Sequence, residues 1–227
     1  MTDIESTLPR FPSFRTDLQD ITAGLEVDRS VLHRKWHISE NERLVLYAGR
    51  LHAAKGLTFL MDAFRKVLDN IPDCRLIIAG SGNFEPYIHA SKVKEICTKV
   101  TFTGFLEKKE LEELYQMADI GVLPSLFETF GYVAVEMMMH GLPVVTTSAH
   151  SLAELTEDGV NSLQVPVTEH PDRKETDTDL LAEKIIYLLL HPAESKAIGQ
   201  NGRERYLKQY SSEVFRSNML NFYTSLL

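Results

Sequence analysis

Two carboxylates, Glu128 and Glu136, stand with seven residues between them in the segment PSLFETFGYVAVE, residues 124–136. Glu128 reads as part of a loop, whereas Glu136 falls inside the following helix, between Val133-Ala134-Val135 and Met137-Met138-Met139. An ionised carboxylate in so apolar a neighbourhood costs about several kcal/mol unless something satisfies it. Ligand hydroxyls would do so, and so would a structural arginine. Gly131, at the helix start, leaves backbone N–H groups and the positive end of the helix dipole facing any anion that enters.

A second cluster lies upstream. Gly49-Arg50-Leu51-His52-Ala53-Ala54-Lys55-Gly56 brackets two cations with two glycines just before a helix. Glycines let the backbone approach a ligand, and Arg50 and Lys55 carry the charge that a diphosphate needs. The segment 124–136 alone supplies donors for phosphate and acceptors for hydroxyls, which is the demand pattern of a nucleotide sugar: a diphosphate flanked by a ribose and a hexose. The plainer alternatives are a solvated loop for Arg50 and Lys55, a helix cap for Glu128 and a buried ion pair for Glu136.

Other signals are weaker. Gly80-Ser81-Gly82 suggests a nucleotide loop, but Glu85 stands where the dinucleotide fingerprint needs its third glycine. Asp177-Thr178-Asp179 looks like a metal clamp and reads more simply as a carboxylate-rich helix N-terminus. His33 and His37 lack the third ligand and the Glu of a zinc hydrolase, and read as solvated helix residues. Cys74 and Cys97 form no CxxC pair, so neither a zinc site nor a disulfide framework is encoded, and a reducing compartment fits. No metal and no cofactor are expected.

The elements that must position these groups alternate regularly. Leu44–Ala48, Leu76–Ala79, Val100–Thr103, Ile120–Leu123, Val144–Thr147 and Ser162–Val165 read as strands, and helical periods separate them. This predicts an α/β, doubly wound, parallel Rossmann-like sheet of about six strands with C-terminal helices. Leu57, Leu60, Met61, Phe64, Val67 and Leu68 line one helix face, which Pro72 closes, and Leu111, Leu114, Tyr115 and Ala118 line another. A short helix is expected over residues 29–38. Residues 167–179 are polar and aperiodic and read as a surface loop. Residues 1–28, with Pro9 and Pro12, read as an irregular lead-in. In an open parallel sheet ligands bind beyond the carboxyl ends of the strands, where both clusters fall.

The composition sets bounds. The 227 residues carry 24 Lys plus Arg against 32 Asp plus Glu, a net charge of −8, which argues against nucleic acid or an anionic membrane as the main partner. The N-terminus has no cationic start followed by an apolar run, and nowhere do about 18 apolar residues follow one another, so a cytoplasmic protein is expected.

VLYAGRLHAAKG, RLIIAGSGN, VTFTGFL, LYQMADIGVLPSLFETFGYVAVEMMMHGLPVVTT and AELTEDGVNSL resemble the C-terminal, donor-binding half of the group 1, family 4 retaining glycosyltransferases of GT-B fold. The resemblance covers about residues 29–227. It implies that Arg50 and Lys55 contact the donor diphosphate and stabilise it as it leaves, that Glu128 holds sugar hydroxyls, and that Glu136 holds the ribose. Amides around Phe130 and Gly131 would take the distal phosphate, with Thr129, Tyr132 and Gly49 beside them, and Gly104, Phe105 and Leu106 would line the base pocket. The family transfers a hexosyl unit from a nucleotide-diphosphate sugar, and the acceptor is held by an N-terminal domain. That domain, or a separate partner subunit, is absent from these residues, although Ile21–Leu25 resembles the interdomain crossover. Any membrane association would come through the acceptor or the missing part. A non-catalytic nucleotide-sugar-binding subunit and a nucleotide-sugar 2-epimerase fragment are the alternatives. Met137, His140, His150-Ser151-Leu152 and Ser162 depart from the family's usual residues.

Overall fold

The computed structural model describes residues 29–225; the lead-in and the crossover resemblance lie outside them. Six parallel strands form one sheet: β1 (Arg43–Ala48), β2 (Cys74–Ala79), β3 (Val100–Gly104), β4 (Ile120–Leu123), β5 (Val144–Thr147) and β6 (Leu163–Val165), in the order β3-β2-β1-β4-β5-β6. The chain winds outward from β1 to β3, then returns to the other side of β1 and continues through β4 to β6. The strand order therefore reverses between β1 and β4, and a crevice opens there.

Alternation within β1 explains why helices cover both faces. Val45 and Tyr47 pack with Leu57, Leu60, Phe64 and Leu181, which belong to α2 (Leu57–Asn70) and α7 (Thr178–Leu190). Leu44, Leu46 and Ala48 point the other way, onto Leu114 of α4 (Lys108–Met117), Met137 and Met138 of α5 (Tyr132–Met139), and Tyr206 of α8 (Pro192–Gln209). Strands buried on both sides read as continuous apolar runs, which is how they were recognisable. The remaining helices are α1 (Arg29–Lys35), α3 (Glu85–Val93), α6 (His150–Leu155) and α9 (Ser212–Thr224). No helix among the described residues is long and apolar enough to cross a membrane.

Three expectations need correction: the loop, the extent of the first helix, and His33 and His37 as solvated helix residues. Residues 167–179 are not a plain loop: β7 (Val167–Glu169) and β8 (Lys174–Thr176) pair antiparallel around a turn in which the His170 N–H donates to the Arg173 carbonyl at 2.8 Å. Glu169 lies opposite Lys174, and the two form an ion pair across the strands, the cross-strand complement that a polar hairpin needs. The first helix stops at Lys35, and His33 is buried, with Nδ1 3.1 Å from the Ser39 carbonyl oxygen. Its face of α1 turns inward beside Leu32. His37 stands beyond the helix with φ 54°.

The amino ends of the first three strands are clipped by one carboxylate. Glu42 accepts from Arg75 Nε and Nη2 at 3.0 Å each and from Lys99 Nζ at 3.2 Å. Burial opposes its ionised form, yet the Arg75 hydrogen bonds and charge, together with Lys99 and the Ser39 amide, hold the carboxyl below the ordinary glutamate range. A depressed folded value contributes stability that is fully present above the unfolded pKa, about 4.3, and is lost as pH falls through the lower folded one. Glu42→Gln is expected to lower stability at neutral pH by about 1.5–3 kcal/mol. Urea melts should also show a shallower acid limb; an unchanged limb would remove Glu42 from the acid response.

Candidate functional site

The loops leaving β1, β2, β3 and β4 are stitched to one another by backbone hydrogen bonds. The Gly49 N–H donates to the Ala79 carbonyl at 2.9 Å, Gly80 to Gly104 at 2.9 Å and Leu51 to Ser81 at 2.8 Å. A Cβ on Gly80 would stand 1.8 Å from the Gly49 carbonyl oxygen, so only glycine lets these two turns touch. Beyond Gly49 the chain makes a 3-10 turn, Ala53–Lys55, capped by His52 Nδ1 accepting from the Ala54 N–H at 3.2 Å. The Ala54 carbonyl in turn accepts from Leu126 at 2.8 Å and Phe127 at 3.2 Å, which ties the β1 loop to the β4 loop. This fixes Lys55 opposite Glu128: Nζ and Oε2 are 2.6 Å apart, although 73 positions separate them in the chain.

A cavity of about 530 Å³ opens among the loops that leave β1, β2 and β3 and the first turns of α5; neither Lys55 nor Glu128 lines it. Its lining includes Gly49, Arg50, Phe105, Leu106, Tyr132 and Glu136, all expected, together with Ser81, Lys108 and Val133. Arg50 is exposed at its mouth. Beneath Arg50 the Tyr47 hydroxyl donates to its carbonyl oxygen at 2.9 Å. Burial pushes the Tyr47 phenol well above its usual range, and Tyr87 and Glu128 add to the effect, so Tyr47 stays a neutral donor and holds the loop.

Glu136 is half-buried rather than buried, because at about 100° per residue its apolar neighbours turn to the core while it faces the cavity. Its Oε2 accepts from the Tyr115 hydroxyl at 2.8 Å. Tyr115 is itself buried; that burial, then the charge of Glu136, raises its pKa well above normal and keeps the proton on the phenol. The His140 ring lies against Tyr115, with centroids 5.3 Å apart.

The other expected residues, Lys55, Gly104, Glu128, Thr129, Phe130 and Gly131, do not line the cavity. Gly131 is the N-cap of α5 and has no side chain with which to cap it. Glu128 Oε1 accepts from the Thr129 N–H at 3.2 Å, just ahead of that helix. The Glu128 backbone is held by Ser151, whose hydroxyl donates to its carbonyl at 2.9 Å. The rings of Phe130 and Tyr132 are 4.6 Å apart, and Gly104 ends β3. Tyr47 and Tyr115 were missed in the sequence. Both read as core aromatics, and only their hydroxyls distinguish them. Asp177 is the N-cap of α7, accepting from the Asp179 and Leu180 N–H groups, as the plainer reading expected. Among the described residues no group of three or more His, Cys, Asp or Glu could hold a metal ion.

A family profile described as "Glycosyl transferases group 1" matches residues 28–205. An uncharacterised glycosyltransferase of Methanocaldococcus jannaschii is 36% identical over 141 residues, 60% of this chain and 34% of that protein. Anabaena HepE, solved in complex with UDP, superposes with a TM-score of 0.76 at 23% identity, over 87% of this chain and 52% of that one. The C-terminal domain of a group 1 glycosyl transferase, LpcC of Francisella tularensis, gives 0.70 at 22% identity, over 82% of this chain and 94% of that domain. The chain thus spans a third to a half of the longer proteins and nearly all of the isolated C-terminal domain.

Proposed function

The chain belongs to the group 1 glycosyl transferases, and from that premise we propose that residues 29–227 bind the nucleotide-diphosphate sugar of a retaining, family 4 hexosyltransferase. One observation carries the reading. Arg50, Glu136 and the Phe105-Leu106 segment line a single cavity at the point where the strand order reverses, and the Lys55–Glu128 pair ties together the β1 and β4 loops that flank that point.

In this reading the base enters between Leu106 and Gly80-Ser81, the ribose hydroxyls donate to Glu136, and the diphosphate lies toward Arg50, Lys55 and the amides that open α5. The sugar reaches Glu128. As the glycosidic bond to phosphate breaks, negative charge grows on the leaving diphosphate. Two cations and a helix N-terminus stabilise it there without requiring a metal ion. Attack from the leaving-group face, which gives retention, is what the family resemblance supports. The acceptor would be held by an N-terminal domain or a separate subunit.

A thermal-shift panel of UDP, GDP and ADP with their sugars tests the reading, since a ligand at a hundred times its Kd adds about 2.7 kcal/mol of stability. For the nucleotide that binds, Arg50→Ala is expected to weaken affinity by roughly ten- to a hundredfold, the loss of charge-assisted hydrogen bonds worth about 1.5–3 kcal/mol. Calorimetry showing equal affinity in R50A would take the diphosphate away from Arg50.

A further inference from the structure

The two side chains assigned here to different parts of one donor, Lys55 to the phosphates and Glu128 to the sugar, are bonded to each other. We propose that Glu128 competes with the diphosphate for Lys55, so that the chain holds a bare nucleoside diphosphate more weakly than a nucleotide sugar. This rests on the donor-site reading above and adds to it a residue that sets the preference for donor over spent nucleotide.

The geometry carries the argument. Nζ and Oε2 are 2.6 Å apart, and the two side chains keep only 19% and 18% of their surface exposed, so water does not screen the pair as it does at a surface. The backbone that carries each partner is held. Lys55 ends a turn closed by Gly56, whose N–H donates back to the Ala53 carbonyl at 3.0 Å and whose carbonyl accepts from the Leu60 N–H of α2 at 3.2 Å. Glu128 is fixed by Ser151 on its carbonyl and by the Thr129 amide on its second carboxylate oxygen.

A bare diphosphate that recruits Lys55 must draw it from Glu128. It leaves a half-buried carboxylate without its cation and brings a second anion near it. A nucleotide sugar draws on the same lysine but supplies hydroxyls that donate to the carboxylate, so the lost partner is replaced. The sugar then adds more to affinity than its own hydrogen bonds. Once it has been transferred, Lys55 returns to Glu128 and the hold on the nucleotide loosens.

Calorimetry of UDP, with GDP and ADP alongside, on the whole chain tests this with Glu128→Gln, Lys55→Met and the double variant. E128Q keeps the shape and removes the charge. It is expected to tighten UDP by about three- to tenfold, while in the K55M background the same change moves affinity less than about twofold. A nucleotide sugar that the wild-type chain prefers over its bare diphosphate should lose that preference in E128Q. Glu128→Ala, as a second charge-removing variant, must tighten the bare nucleotide too. Unchanged or weaker UDP binding in folded E128Q overturns the proposal. So does an equal gain with and without Lys55, which would be plain removal of a negative charge. If the wild-type chain binds none of the three nucleotides, the donor-site reading itself has failed; if it binds one and E128Q does not tighten it, only the competition has.

Discussion

Replacing Gly56 by Ala is expected to cost about 3–5 kcal/mol of stability and to remove nucleotide binding with it. Gly56 has φ 67°, closes the turn that carries Lys55 and opens α2. A Cβ built there stands 1.8 Å from the Pro124 carbonyl oxygen and 2.8 Å from its carbon. Both obstacles are backbone, so no rotamer relieves them. The β1 and β4 loops must part, and with them the Leu126 and Phe127 hydrogen bonds to Ala54 and the Lys55–Glu128 pair. Gly104 is the control. It has φ 77°, but among the described residues no atom beyond its chain neighbours lies within 4 Å of a Cβ placed there, so Gly104→Ala carries only the left-handed backbone cost of about 1–2 kcal/mol. For a domain of this size the Gly56 change should lower Tm by roughly 6–20 °C. Thermal melts of the two variants decide the matter. If G56A and G104A melt together, the close approach of the two loops is not what holds the site.

Much of this was legible because burial writes itself into residue type. The six strands read as apolar runs since both their faces are covered, and α2 read as a stripe since one of its faces is not. The β7–β8 hairpin was missed for the converse reason. It packs little, and its signal is a pairing of charges, Glu169 with Lys174, that periodicity does not register. Glu136 was expected deep in apolar surroundings, because a linear window cannot tell which neighbours share a helix face. Arg50, Lys55, Glu128 and Glu136 were all legible by type, yet the Lys55–Glu128 bond was not. It follows from β1 and β4 being neighbours in the sheet, a long-range fact that no local pattern carries. The same holds for Tyr115, whose role depends on α4 lying beside α5.

A polypeptide of residues 1–227 is expected to bind the donor and yet transfer no sugar at a useful rate unless an N-terminal acceptor domain is supplied. The described residues build one doubly wound sheet with a cavity at its switch point, which in the function proposed above supplies donor loops and one wall of a cleft. A retaining transfer needs the acceptor oxygen held against the anomeric carbon, and alignment of that kind supplies about 7–11 kcal/mol of barrier reduction. Without it the rate should fall by at least about 10⁵-fold, to slow hydrolysis of the donor at most. Anabaena HepE superposes on 87% of this chain yet is covered over only 52% of its own length, so that protein carries further polypeptide beyond the shared part. Radiolabelled donor assays with and without an N-terminal domain added in trans separate the outcomes. Donor binding with transfer that appears only on addition supports the need for an acceptor-holding domain; robust acceptor-dependent glycosylation by residues 1–227 alone would overturn it.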